Sequence, residues 1–337
     1  MINHFAMEFQ VFLVIVALLS VLMSTPVDST ESPGEAYWKT NIGSDSNMPK
    51  VVKDALLETG TNTASLENYA KRSAQAYAQE LLKPKGGTTN VNYGYGAYGA
   101  QLSSDTNINY AKGAQNHNSK TNNFVQYFFE KDLIYPRSSM KLHFSTGAQK
   151  AKFMPLQVTK SIPFSSSKLP EILKFFIVNP GSQNAKIIEE TITLCEIKAI
   201  KGEEKSCETS LEGMVNRAKS KLGNQIKAFS TEVNEETEQE YQIKSATKIN
   251  NNEKNLVCHK MAYPYAVFYC HTLSKTDAYK VSLVDSTGKK VRAVAICHKD
   301  TSHWNEEHLA FQLLKVKPGS VPICHFLSVD AMVWVPK

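Results

Sequence analysis

The sequence predicts an α+β protein, with helices in the N-terminal half and an antiparallel β-sheet after them. From Ser210 to Leu222, apolar residues recur at helical spacing behind a capping box made by Thr209 and Glu212. After Leu256 the apolar runs become short and rich in aromatic and β-branched residues, as in strands. The third observation is a set of four Cys-His dipeptides in that second part: Cys258-His259, Cys270-His271, Cys297-His298 and Cys324-His325.

The chain opens on a segment typical of a secretory signal peptide. Residues Val11 to Met23 are apolar except for Ser20, and small residues suited to cleavage lie between Ser24 and Ser29. The apolar stretch is shorter than a bilayer-spanning helix. We therefore assign residues 1–29 to a signal peptide and expect a secreted protein without a membrane anchor. The alternative is a buried helix.

Charge and cysteine content narrow the functional classes. The 337 residues carry a net charge of +6, with no run of lysine or arginine longer than two. Nucleic-acid binding needs a concentrated basic patch, so we do not predict it. Six cysteines behind a secretory start predict disulfides in an oxidising compartment.

Residues 30–123 form a variable N-terminal region. Val51 to Leu57 and Leu66 to Leu82 have helical spacing. Asn90 to Asn123 is rich in Asn, Gly, Ser, Ala and Tyr and almost free of aliphatic residues, so we expect it to be flexible. Its tyrosines are Tyr93, Tyr95, Tyr98 and Tyr110.

The composition becomes typical of a folded domain after residue 123. Helices are predicted from Leu169 to Phe176 and from Asn184 to Leu194, and the helix that ends at Leu222 has Gly223 at its C-cap. Cys195 and Cys207 flank a charged loop and are predicted to close it with a disulfide.

Strands are predicted in the last eighty residues. They are Tyr263 to Thr272, Ala278 to Asp285, Val291 to His298, Leu313 to Val316 and Val321 to Leu327. A hairpin turn at Ser286 to Lys289 pairs Asp285 with Lys290, which places Ala278 opposite Cys297. If the strand Tyr263 to Thr272 also pairs antiparallel with Ala278 to Asp285, Cys270 lies near Lys280. His271 and His298 then lie at the same end of a single three-stranded sheet.

The Cys-His dipeptides suggest a site with two faces. Neighbouring side chains on a strand point to opposite faces, so the cysteines staple one face while the histidines gather on the other. The spacing does not fit a zinc finger. With oxidised cysteines, four imidazoles favour Cu(II). The alternative is four disulfide cysteines that precede unrelated histidines. Sequence allows three pairings of these cysteines and does not choose among them.

Three further residues lie close in sequence to the Cys-His dipeptides. His303 and His308 follow His298 closely and are candidates for further metal ligands or for support of the ligands. Trp334, near the C-terminus, is interpreted as a core residue.

The pattern CH-x10-CH-x25-CH-x25-CH-x8-W resembles the signature of the plant BURP domain. Residues 263–269 (YPYAVFY), 300–302 (DTS) and 333–336 (VWVP) fit the same family, and residues 128–133 (FFEKDL) resemble its opening motif. The glycine usual after that motif is absent from residues 136–140 (PRSSM), which we interpret as a changed turn. The resemblance covers residues 124–337.

The resemblance implies two different functions. Some BURP proteins are copper-dependent peptide cyclases that use O2 to crosslink a Tyr or Trp of a core peptide upstream in the same chain. By this resemblance the catalytic copper ligands here are His259, His271, His298 and His325, and the modified residue is Tyr93, Tyr95, Tyr98 or Tyr110. Tyr127 is expected to lie too close to the folded domain to move freely.

Other family members are seed, dehydration-responsive or polygalacturonase β-subunit proteins, which are not known to be enzymes. They associate with the cell wall, where the partner is a polysaccharide or a wall enzyme, or with storage compartments. Residues 95–99 and 124–127 resemble decayed copies of the Phe-x-x-Tyr repeats of the last type. The sequence therefore leaves a cyclase and a non-catalytic apoplastic or seed protein as alternatives.

Overall fold

The computed structural model describes residues 31–44, 46–57, 63–80, 127–135, 138–144, 150–233, 235–249, 254–273 and 275–337. The predicted signal peptide and the segment with Tyr93, Tyr95, Tyr98 and Tyr110 lie outside these residues. The helices are α1 Pro33–Ile42, α2 Lys50–Lys53, α3 Thr63–Glu80, α4 Glu130–Ile134, α5 Leu156–Ser161, α6 Leu169–Phe175, α7 Gln183–Glu196, α8 Leu211–Leu222 and α9 Leu309–Leu314. The strands are β1 Ser139–Phe144, β2 Glu203–Glu208, β3 Ile226–Ser230, β4 Thr237–Lys248, β5 Leu256–Lys260, β6 Phe268–Leu273, β7 Thr276–Asp285, β8 Lys290–His298, β9 Ile323–Phe326 and β10 Ala331–Pro336.

The strands form two five-stranded antiparallel sheets. The first has the order β1-β4-β7-β8-β9 and the second β2-β6-β5-β10-β3. An apolar layer joins their inner faces, and its members come from both sheets: Val257, Ala278, Val294, Ile296, Leu327, Ala331, Val333 and Val335. The α+β class is thus confirmed, with a two-sheet sandwich in place of one sheet.

The prediction that the Cys-His strands share one sheet is wrong. β6 and β7 follow each other in the chain, but β6 pairs with β2 and β5 while β7 pairs with β4 and β8. Cys270 therefore does not lie beside Lys280 in the sheet. The periodicity of apolar residues indicates which face of a strand is buried, but it does not indicate which other strand it pairs with.

The register of the β7–β8 hairpin differs by one residue from the prediction. Val284 pairs with Lys290, and Asp277 lies opposite Cys297. Asp285, the last residue of β7, stabilises the turn, because its carboxylate accepts hydrogen bonds from the N–H groups of Thr287 and Lys289. Gly288 completes this turn with φ +87°, a conformation that glycine adopts without steric cost.

Two other local predictions need correction. The run from Leu313 to Val316 is not a strand, because α9 occupies residues up to Leu314. The N-cap of α8 is Ser210, not Thr209, and its side chain accepts from the N–H of Gly213. Gly223 is the predicted C-cap, at φ +92°.

The N-terminal helices pack on the sandwich. Trp38 of α1 lies against Trp334 of β10, with ring centroids 5.4 Å apart. Gln75 of α3 donates to the Phe175 carbonyl, and Asn184 donates to the Ala78 carbonyl. Trp334 is fully buried, in agreement with its interpretation as a core residue. Among the described residues, no helix has the length and apolar character needed to cross a bilayer.

Candidate metal centre

Two cross-strand disulfides organise the Cys-His dipeptides. Cys258 of β5 lies opposite Cys270 of β6 and is bonded to it. Cys297 of β8 lies opposite Cys324 of β9 and is bonded to it. The pairing that sequence left open is thus 258–270 and 297–324, and the predicted Cys195–Cys207 disulfide is confirmed.

The same register places the histidines in diagonal pairs. Each histidine follows its cysteine, so the imidazoles lie on the face opposite the disulfide and are displaced to either side of it. Ring centroids are 5.4 Å apart for His259 and His271, and 5.5 Å apart for His298 and His325. Both pairs lie on the inner faces of their sheets, because Val257 and Ile296, two positions before His259 and His298 on the same faces, belong to the layer between the sheets.

The two pairs are close enough to influence each other. Burial lowers the pKa of His259 well below its ordinary value, and a charge on His271 or His325 would lower it further. Burial, and then the neighbouring imidazoles of His325 and His271, lower the pKa of His298 in the same way. Burial also brings the pKa of His325 down to about 4. These imidazoles are therefore neutral at pH 7 and keep a lone pair for a metal ion.

Hydrogen bonds at Nδ1 fix the tautomers of two rings. The Nδ1–H of His271 donates to the Glu203 carboxylate at 2.9 Å, and that carboxylate also accepts from the hydroxyl of Tyr269 at 3.2 Å. The Nδ1–H of His325 donates to the Phe326 carbonyl at 3.2 Å. In a neutral ring with Nδ1 protonated, the lone pair is on Nε2. Partners of this kind are usual behind metal-ligating histidines.

The Nε2 atoms of His298 and His325 face each other directly. Their Nε2 atoms are 3.3 Å apart, and the Nδ1 of His298 lies 3.4 Å from the hydroxyl of Thr276. Without a metal, the Nε2–H of His298 donates to His325 while Thr276 donates to Nδ1. Moving the His298 proton to Nδ1 reverses the Thr276 hydrogen bond and presents two lone pairs to one ion.

The cluster supplies its donors as two pairs. Within the part of the chain that the structure describes, no group of three or more His, Cys, Asp or Glu side chains is arranged to hold a metal ion. Binding one ion to more than two of these histidines therefore requires side-chain movement. The donor set itself fits copper, since it consists of imidazoles and all the cysteines are in disulfides.

The two additional histidines have different surroundings. His303 is exposed. His308 is buried and packs against Trp304, with ring centroids 4.8 Å apart. Tyr127 also lies at the site, with its ring centroid 6.2 Å from that of His325.

Glu203, Trp304 and the position of Tyr127 are site features that sequence reasoning missed. Glu203 lies in a stretch that we interpreted as a charged loop, although the structure forms strand β2 there. The signal that could have found it is its spacing of four residues from Cys207, which places both side chains on one face of a strand.

A partly buried charge network ties the opening motif to the end of β8. Glu130 of α4 forms an ion pair with Lys299, which also pairs with Asp277 at 3.2 Å. The hydroxyl of Tyr279 donates to Glu130. The network holds residue 299, directly after His298, against the segment that carries Tyr127.

These features define a class of protein, namely an α+β sandwich with disulfide-linked strands and a cluster of four histidines, three of them buried. The model of the BURP domain matches residues 126–336 of the chain. This protein belongs to the BURP-domain family of plants.

Its relatives include three BURP proteins of similar identity. It is 42% identical over 262 residues to BURP domain-containing protein 3 of Oryza sativa subsp. japonica, covering 74% of this chain and 57% of the relative. It is 45% identical over 212 residues to BURP domain-containing protein 5 of the same species, covering 61% of this chain and 65% of the relative. It is 44% identical over 231 residues to BURP domain protein RD22 of Arabidopsis thaliana, covering 66% of this chain and 58% of the relative. The match spans less than two thirds of each relative's length.

Proposed function

We propose that this protein binds copper through His259, His271, His298 and His325 and acts as an oxidative peptide cyclase on its own N-terminal segment. The observation that carries the proposal is a cluster of four imidazoles drawn from both sheets, three of them buried, with the Nε2 atoms of His298 and His325 3.3 Å apart. Bound copper(II) would accept an electron from a phenol, and O2 would restore the oxidised ion.

The choice of copper follows from the donors. Imidazole suits zinc, copper, iron and nickel, whereas thiolates select zinc, copper(I) and iron–sulfur clusters. The cysteines are in disulfides, so they supply no thiolate. Phenol oxidation needs a metal that changes its oxidation state, and zinc does not do so.

The chain's own residues prepare the site for this reaction. Burial of three of the imidazoles limits the access of water, and Glu203 and the Phe326 carbonyl hold two of the four with Nε2 unprotonated. The contact of Tyr127 with His325 indicates that a phenol can be accommodated there. Tyr127 lies four residues after Asn123, so the predicted substrate segment is tethered beside the histidines, and tethering raises its effective concentration there.

The second candidate is a non-catalytic, secreted apoplastic or seed protein that associates with a wall polysaccharide or a wall enzyme. The observation that favours it is the resemblance of residues 95–99 and 124–127 to degenerate copies of the Phe-x-x-Tyr repeat of polygalacturonase β-subunit proteins. The two candidates differ in whether the protein forms a covalent bond within itself.

The intact mass of the secreted chain separates the two candidates. With Cu(II) and O2, each crosslink formed removes two hydrogens, about 2 Da, from the cyclase. Changing Tyr93, Tyr95 and Tyr98 together to Phe removes the favoured phenols, so we expect the mass loss to vanish while copper binding persists. Zn(II) in place of copper is the control and should give no loss.

Electron paramagnetic resonance tests the metal site by itself. We expect the signal of nitrogen-ligated Cu(II), and His271→Ala should weaken copper binding without unfolding the domain. If none of the four single histidine substitutions changes the copper stoichiometry, the site is structural. If copper binds but the wild-type mass stays constant, the protein does not cyclise itself and is either a partner-dependent cyclase or the second candidate.

A further inference from the structure

His308 is a buried histidine whose two ring nitrogens have different surroundings. Its Nδ1 accepts a hydrogen bond from the backbone N–H of Ala310 at 3.0 Å. An imidazole that accepts at Nδ1 carries its proton on Nε2. The side chain is 5% exposed, and its Nε2 has no hydrogen-bond partner within the part of the chain that the structure describes. His308 therefore presents an unused N–H donor in the interior.

Aromatic contacts place this donor beside the metal-binding histidines. The Trp304 ring lies 4.8 Å from that of His308 and 5.0 Å from that of His298, between ring centroids. The Tyr127 ring lies 5.5 Å from that of His308 and 6.2 Å from that of His325. Since His298 and His325 also contact each other, the five rings form a closed circuit.

The hydrogen bond to Ala310 decides what His308 can do. To ligate a metal through Nε2, the ring would have to move its proton to Nδ1, where it would face the Ala310 N–H instead of accepting from it. His308 therefore serves as a donor while that bond is kept. A buried donor without an acceptor costs free energy, and the cost is recovered when an acceptor is bound.

We propose that His308 is the hydrogen-bond donor of a subsite beside His298 and His325 that takes an anionic acceptor atom. This inference rests on the proposed copper site. The acceptor has two chemical sources in that reaction: the phenolate of a substrate tyrosine, or a small anion produced when O2 is reduced. Either source would bring a negative acceptor atom to the Nε2–H of His308, beside the imidazoles that would hold the copper.

The chain offers a variant that separates this donor from its structural role. His308→Asn keeps a side-chain oxygen that caps the Ala310 N–H, but it is too short to present a donor where Nε2 stands. His303→Asn changes an exposed histidine and is the matched control. Copper-loaded wild type and variants are titrated with azide, a small anion, and with 4-nitrophenolate, while copper absorbance and electron paramagnetic resonance are followed.

We expect His308→Asn to weaken binding of at least one probe about tenfold or more, because a hydrogen bond to a charged acceptor is lost. A loss for azide alone assigns the subsite to the small anion, and a loss for 4-nitrophenolate alone assigns it to the phenolate. His303→Asn should bind both probes like wild type. Unchanged affinities for both probes in a His308→Asn protein with full copper content overturn the subsite and leave the proposed function intact.

A second measurement needs no copper. Nitrogen-15 NMR of the metal-free protein should show His308 with Nε2 protonated and Nδ1 as the acceptor. The opposite tautomer would remove the donor and with it the proposal. If no copper binds to the wild type, the proposed function fails, whereas the tautomer is still measured independently.

Discussion

Glu203 and the Phe326 carbonyl hold two histidines in the same tautomer, but only Glu203 carries a negative charge. Each accepts from an Nδ1–H, of His271 and His325 respectively. The Glu203 side chain is only 3% exposed, so its negative charge acts on His271 with little screening by water. A carboxylate behind an imidazole makes Nε2 a better electron donor than a neutral carbonyl does. His271 should therefore be the stronger ligand of the two.

Glu203→Gln tests this difference at a single atom. The amide oxygen still accepts from His271, but the negative charge is gone, so we expect copper affinity to fall roughly tenfold or more. Competitive titration with a chelator at pH 7 measures the affinity. The matched control is Glu204→Gln, because the adjacent Glu204 is 62% exposed and pairs with Lys221 on the surface.

Thermal unfolding of the metal-free variants shows whether the fold is kept. Equal loss of copper affinity in the Glu203 and Glu204 variants would point to long-range charge. No loss in either would mean that His271 does not need the carboxylate.

At the scale of elements, the disulfides provide a comparison with equal loop lengths. Cys195–Cys207 and Cys258–Cys270 both close a sequence separation of 12 residues. Chain-entropy models give each a similar contribution to stability, roughly 3 kcal/mol for loops of this size. Of these two disulfides, only the second joins two strands that carry histidines of the proposed copper site.

We expect the two cysteine pairs to differ in function when each is changed to serine. Both double variants should lose comparable stability in urea unfolding, whereas only Cys258→Ser with Cys270→Ser should lower copper affinity, because the diagonal spacing of His259 and His271 loosens. Equal copper affinity in both variants would show that pairing of β5 and β6 suffices to place the imidazoles.

Sequence predicted the parts of this site that depend on neighbouring residues along a strand. Alternation of side chains set the disulfides and the imidazoles on opposite faces, and it applied to each sheet separately. The assignment of β6 and β7 to different sheets depends on long-range packing, which strand periodicity does not encode. The position of Glu203 was missed for a related reason, because a stretch with two adjacent glutamates resembles a loop until β6 pairs with it.

At the scale of the whole molecule, the buried imidazoles link stability to pH. Burial lowers the pKa values of His308 and His325 to about 4, whereas an unfolded chain titrates near the ordinary value of about 6.5. Above pH 6.5 both states are neutral at these residues, so they add no pH dependence. Below pH 6.5, these histidines bind protons in the unfolded chain but not in the folded protein. The free energy of unfolding therefore decreases as the pH is lowered from 6.5 to about 4.

The expected loss between pH 7 and pH 5 is about 2 kcal/mol for each of these two histidines. His259 and His298 act in the same direction, because their pKa values are also lowered by burial. Carboxylates affect stability at lower pH. For Asp300, hydrogen bonds from Ser302 lower the pKa of the carboxyl group to about 2. Urea unfolding of the metal-free protein at several pH values measures the slope.

Two variants identify the origin of that slope. His308→Asn combined with His325→Asn removes two of the titrating groups, so the stability of this double variant should depend less on pH between 7 and 5 than that of the wild type. His303→Asn, at an exposed position, is the control for the substitution itself. A wild-type stability that is constant across this window would mean that the folded protein admits protons to the cluster, and the neutral imidazoles required for copper binding at pH 7 would then need another explanation.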